Sequence, residues 1–168
     1  LTAILLNDPG SEFPSTAPQP PSSPKASLDL SESLSQFSFN VDSVREAIFN
    51  DYQRGLTALI KKENDWFVNN IPGDPIFIED LLSRLATLKA TEVKNRRDED
   101  PDESLIFSVD LTLLDSNKQP TTLKLKIFNN ETEAGIMGYS SLYKRVFFIS
   151  KESYNFIRPR NDALLLNR

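Results

Sequence analysis

The sequence predicts an α+β fold. Antiparallel hairpins and meanders in two halves pack with one main amphipathic helix and a short C-terminal helix. Three stretches carry that reading. Residues 104–114 and 121–128 alternate apolar and polar side chains on either side of a turn-forming run. Residues 75–89 place apolar side chains at three- and four-residue steps. Residues 44–68 hold three short apolar runs divided by turn residues.

A chain of 168 residues with 39% hydrophobic and 26% charged residues is long enough and apolar enough for one domain with a real core. The reading places that single α+β domain at residues 37–168, after an apolar start and a Pro/Ser-rich linker at residues 1–36. Leu1–Leu6 is apolar but far short of the roughly 20 residues that span a bilayer. It reads either as a segment packed on the domain or as the end of a membrane helix, and the second is preferred because the chain does not begin with Met. Pro9–Pro24 holds six prolines among Ser and Thr, so it cannot bury enough apolar surface to offset its ordering and reads as an extended spacer. Pro18 with Pro21, and Pro21 with Pro24, have the PxxP spacing of a recognition ligand, but that spacing recurs in any proline-rich tract. Ser27–Ser38 reads as a transition, with Leu28, Leu30 and Leu34 in a brief turn or loose strand.

From Phe37 the chain becomes foldable. Val44, Ala47, Ile48 and Phe49 point to a first strand, and Asn50–Gly55 supplies a turn. Gly55–Lys62 alternates as a second strand, and Trp66-Phe67-Val68 forms a third, followed by a break at Ile71-Pro72-Gly73. Asp74 is a good N-cap, because its carboxylate can accept from the first turn's open N–H groups. Pro75 fits the first helical position, where its missing N–H leaves no bond unmade. Ile78, Leu81, Leu82, Leu85 and Leu88 then share one face of a helix running from Pro75 to Lys89. That face reads as the domain's own core rather than a partner groove.

Thr91-Glu92-Val93 is a candidate short strand, and Asn95–Glu103 is a charged loop. The loop's acids Asp98, Glu99, Asp100, Asp102 and Glu103 raise a calcium reading, which the spacing contradicts. The sixth and twelfth places counted from Asp98 do not hold the required glycine and glutamate. In the second half, Leu105, Phe107, Val109, Leu111 and Leu113 share one strand face, and Leu123, Leu125 and Ile127 share another. Lys124 and Lys126 mark the wet side of that second strand. Ala134–Tyr139 is a strand weakened by Gly135 and Gly138, which do not form a phosphate loop. Arg145–Ser150 is a further strand. Ser150 caps a short helix over Lys151–Ile157, Pro159 ends it, and Asn161–Arg168 is a short apolar segment packed on the sheet.

Chemistry is constrained by what is missing. There is no histidine and no cysteine, which removes the commonest general base, the commonest transition-metal ligand and every thiolate reaction. A glycosidase would need two carboxylates facing one another at about 5–10 Å. The candidates Asp65, Asp74 and Asp115 lie in separate turns. Ser150 and Lys151 lack the S-x-x-K arrangement of a Ser/Lys nucleophile pair. The expectation is therefore no enzyme, no catalytic residue, no metal site and no cofactor. A net charge of −5 gives no attraction to a phosphate backbone, so no nucleic-acid partner is expected.

The order of elements resembles a known family. Lys61-Lys62, then Asp65–Val68, then LLSRLATLKATEV over Leu81–Val93, a charged loop, a hairpin, and FFISKESYNFIRPRNDALL over Phe147–Leu165 are similar to the recurring pieces of a bacterial domain of unknown function. That family occurs in membrane-anchored extracytoplasmic proteins encoded beside ABC-transporter subunits of the gliding-motility (Gld) type. The resemblance covers Val41 to Leu166 and rests on degenerate, mostly structural positions. One departure is the family's proline before the central hairpin, which has no firm counterpart here, although Pro101 lies in that segment. The resemblance carries over no catalytic residue. It implies a non-enzymatic interaction or accessory module, extracytoplasmic and tethered to a membrane, whose protein partner is a transporter-like membrane complex. Two other classes stay open: a small carboxylate-dependent hydrolase or carbohydrate-acting enzyme, and a soluble cytoplasmic adaptor recognised through its proline tract.

Overall fold

The computed structural model describes residues 35–96, 101 and 103–166. The expectations placed on Leu1–Leu6, on Pro9–Pro24 and on Leu28, Leu30 and Leu34 lie outside the described residues, as does most of the acidic run of the charged loop.

The fold is α+β. Among the described residues nine strands form one sheet: β1 (Val44–Asp51), β2 (Gly55–Lys62), β3 (Asp65–Val68), β4 (Ile71–Pro72), β5 (Glu92–Arg96), β6 (Leu105–Leu114), β7 (Pro120–Thr132), β8 (Gly135–Ser140) and β9 (Arg145–Ile149). Their order across the sheet is β4-β3-β2-β1-β6-β7-β8-β9-β5, and every neighbouring pair is antiparallel. Helix α1 (Pro75–Ala86) connects the strands at the two edges. Two short helices close the chain, α2 (Lys151–Ile157) and α3 (Asn161–Leu164).

The expected hairpins are present, and the two halves join edge to edge in one sheet. β1 lies between β2 and β6, with Phe49 opposite both Thr57 and Val109. Several boundaries also move. Residues 37–40 are irregular and lead into a 3-10 turn at Val41–Ser43, so the first strand starts only at Val44. Ile71-Pro72, read as a break, makes two rungs with β3 across an Asn69-Asn70 turn whose residues both have positive φ. β5 starts at Glu92 rather than Thr91 and runs on to Arg96, so Asn95 and Arg96 are strand rather than loop. β7 extends to Thr132 past a register shift after Ile127. The apolar C-terminal segment begins as the single turn α3, and Leu165 then bridges Gly73 beside β4.

Helix α1 forms as its ends dictate. Asp74 accepts from Ile76 N at 3.0 Å, and Pro75 occupies the first turn. The helix stops at Ala86, three residues before the expected Lys89, because the Thr87 hydroxyl donates to the carbonyls of Ser83 and Arg84. Lys89 instead bridges Ser35 in extended backbone. Ile78, Leu81, Leu82, Leu85 and Leu88 are all buried, as their spacing requires. They pack with the inward side chains of β1, β2, β6 and β7 in a single core that also takes Trp66, Tyr154 and Ile157.

β9 shows why its sequence has no alternation. Phe147 and Ile149 enter the main core, while Val146 and Phe148 join Phe128 and Tyr139 in a second cluster. Successive strand side chains point to opposite faces, so a strand buried on both faces reads as an unbroken apolar run. The two glycines of β8 fit the same packing. Gly135 has φ +129 and a side chain there would strike the Ile149 carbonyl, while one at Gly138 would strike the Phe147 ring.

Candidate functional site

The helical face of the sheet carries the features that core packing does not explain, and they start from one buried ion pair. Asp51 ends β1 and is 1% exposed. Its Oδ1 accepts from Gln53 N at 2.9 Å and Arg54 N at 3.0 Å, which forms the turn into β2. The Arg158 guanidinium reaches the same carboxylate in a fork, Nε to Oδ2 at 2.6 Å and Nη2 to Oδ1 at 3.1 Å. Arg158 Nη2 also donates to Gln53 Oε1 at 2.9 Å, and the guanidinium lies 4.8 Å from the Tyr154 ring centroid. Burial alone would raise the Asp51 pKa, but the hydrogen bonds from Arg158, Gln53 and Arg54 outweigh it and hold the carboxyl below its ordinary value. The same bond to Asp51 raises Arg158, and burial pushes the Tyr154 phenol up.

This pair fixes where the chain runs after α2. Arg158 is the C-cap of α2, so its attachment to the β1–β2 turn positions Pro159, Arg160 and Asn161. A second stitch follows, in which the buried Thr57 hydroxyl donates to Asn161 Oδ1. A third ties the end of α3 to the start of α1, with Asp74 N donating to Leu164 O at 2.8 Å and Leu166 N to Pro72 O at 3.1 Å.

The result is a trough of about 270 Å³ between α1 and the α2–α3 segment. Leu81, Pro159 and Leu164 are its buried wall residues, and Arg54, Arg84 and Arg160 stand exposed along it. Arg54 and Arg160 also border an adjoining recess with Asn161 and Asp162, and Arg84 borders another with Lys89 and Phe156. At the first turn of α1 the surface becomes apolar. Ile76 is 74% exposed, as are Phe77 on the same turn, Ile71 in β4 and Leu166 after α3, each to a lesser degree. Trp66, Phe67, Pro72, Pro75 and Leu166 border a recess of about 440 Å³ there. The Trp66 indole Nε1 is buried with no hydrogen-bond partner among the described residues.

The residues weighed for chemistry take up local tasks. Asp74 caps α1, and Asp115 accepts from Asn117 N and Gln119 N in the β6–β7 turn. Asp65 opens β3 opposite Lys62, Ser150 caps α2, and Lys151 pairs with Glu131 at 3.7 Å on the surface. Among the described residues no group of three acids could hold a metal ion, and no helix is long and apolar enough to cross a membrane. Sequence reasoning took Asp51 for an ordinary turn residue and passed over Arg158, because 107 positions separate them. The turn pattern around Asp51 and the Arg158-Pro159 step at a helix end are the only local signals of the pair. No family model, no curated sequence and no solved structure matches this chain.

Proposed function

We propose that this domain is a non-enzymatic interaction module, extracytoplasmic and held to a membrane through its linker, which serves a transporter-like membrane complex. One observation carries the reading: the two ends of α1 differ. At the C-terminal end the incoming chain is fastened, with Ser35 Oγ donating to Ala86 O at 2.6 Å, Gln36 N to Leu88 O at 2.7 Å and Phe37 fully buried. At the N-terminal end, about 18 Å away at 1.5 Å per residue, Ile76 and Phe77 are exposed on the first turn, and Ile71 and Leu166 are exposed on the two segments joined beside it by the Leu166 N to Pro72 O bond. Grouped large apolar side chains on a surface are the mark of an interaction site. They lie at the opposite end of α1 from Ser35 and Gln36, where a domain can offer them to a partner. The resemblance of Val41–Leu166 to membrane-anchored extracytoplasmic domains points the same way.

The test is where the full-length protein resides in its native cells. It is expected to sediment with membranes that have been washed with carbonate and to be digested by protease added outside the cytoplasmic membrane. A protein recovered from the soluble cytoplasmic fraction, protected until cells are lysed, would overturn the reading.

A further inference from the structure

We propose that the trough between α1 and the α2–α3 segment binds an acidic peptide segment of a partner protein, with Arg54 and Arg160 as the pair that grips its carboxylates. This names the partner chemistry of the module proposed above and rests on that reading. The chain carries a net charge of −5, yet the trough brings together Arg54, Arg84, Arg158 and Arg160 and, among the described residues, has no carboxylate in its wall. Two of the four are occupied: Arg158 by Asp51, and Arg84 by Asp80 at 3.4 Å along its own helix. Arg54 and Arg160 make no ion pair among the described residues, and both are exposed. Arginine is suited to this task, because its planar fork matches a carboxylate in two bonds.

Shape selects a peptide over a single ion or a membrane surface. The trough shares Arg54, Pro159 and Arg160 with the recess at Asn161 and Arg84 with the recess at Phe156, so an elongated ligand has neighbouring recesses on both sides. Asp162 borders the first recess, which places the positive centre at the middle of the trough rather than at that end. A lipid headgroup layer is met by protruding cations, whereas these arginines rim a concavity. Exposed Phe77 on the wall adds an apolar contact for an aromatic or aliphatic side chain between the ligand's acids. Arg158 contributes by position: locked to Asp51, it holds the Pro159-Arg160 segment at the rim without ordering on binding.

The experiment uses the full 168-residue chain and a fluorescein-labelled peptide that repeats two glutamates and one phenylalanine, read by fluorescence anisotropy at low salt. The native chain is expected to bind. The double variant Arg54→Glu with Arg160→Glu is expected to bind about tenfold more weakly or worse, since like charge across an interface is strongly unfavourable. The control Lys118→Glu with Lys124→Glu makes the same charge change on exposed residues outside the trough and is expected to bind as the native chain does. Thermal unfolding of both variants confirms that they fold. Equal weakening in both double variants means a bulk charge effect and overturns the proposal, as does a native chain that ignores the peptide. Vesicles of pure phosphatidylglycerol are run alongside. Binding to them through Arg54 and Arg160, without binding to the peptide, overturns the proposal in favour of a lipid surface. Failure in any of these arms with the protein still found on the outer side of the membrane removes only the acidic ligand. A cytoplasmic protein removes the module reading itself.

Discussion

Arg158 is enclosed by Asp51, Gln53 and the Tyr154 ring, whereas Arg160, two positions further on, is exposed and makes no ion pair among the described residues. Pro159 stands between them and is buried. One short segment therefore carries an arginine used to hold the fold and an arginine left over from it. Helix α1 repeats the contrast around its own axis. Leu82 and Leu85 are fully buried, while Ile76 is 74% exposed. In both places the internal member explains the architecture, and the external member is the one that architecture leaves available for binding.

The largest effect should come from breaking the internal arginine's bond. Arg158→Ala leaves Asp51 buried without its partner, and a broken buried pair costs about 3–5 kcal/mol. Urea unfolding should show that loss, while Arg160→Ala stays within about 0.5 kcal/mol of the native chain. Equal losses at both positions would erase the contrast. The same pair sets an acid response. Because the Asp51 carboxyl is held below its ordinary value when folded, its contribution is fully present above the unfolded pKa of about 3.9. It is lost as pH falls through the lower folded value. Asp51→Asn should therefore flatten the acid limb of a stability-versus-pH curve, and an unchanged limb would show that the pair does not hold Asp51 ionised.

Next in size is the helix. Leu85→Ala should cost about 2–5 kcal/mol, as buried leucines do, and Ile76→Ala should stay within about 0.5 kcal/mol. A large loss at Ile76 would place it in the packing and weaken its reading as a binding residue. Smaller again, Asp74→Ala removes the carboxylate that accepts from Ile76 N and should cost about 1 kcal/mol. The same urea unfolding measures it, and a loss as large as that of Leu85→Ala would mean that Asp74 does more than cap the helix.

What the sequence disclosed follows the range of the forces involved. The N-cap at Asp74 with Pro75, the α1 leucine face and the β6–β7 alternation are all encoded within a few residues of one another, and each was legible. The pairing of β1 with β6 was not, because β1's other partner, β2, is local while β6 lies some sixty positions away, and nothing in either strand names the other. The early stop of α1 was missed because Leu88 stays buried after the helix has ended, so the apolar spacing continues past the last helical turn. The trough was invisible for the same reason as the Asp51–Arg158 pair. It exists only once α1, the β1–β2 turn and the C-terminal segment meet, and its arginines are scattered from Arg54 to Arg160 along the chain.

The proposed module would meet its membrane-bound partner at the N-terminal end of α1. A photo-reactive residue placed at Ile76 tests it most directly, with the same residue at the exposed Thr122 on β7 as the comparison. In native membranes, irradiation is predicted to give a discrete adduct between Ile76 and an integral membrane protein and none from Thr122. No adduct from Ile76, or the same adduct from both positions, would contradict it.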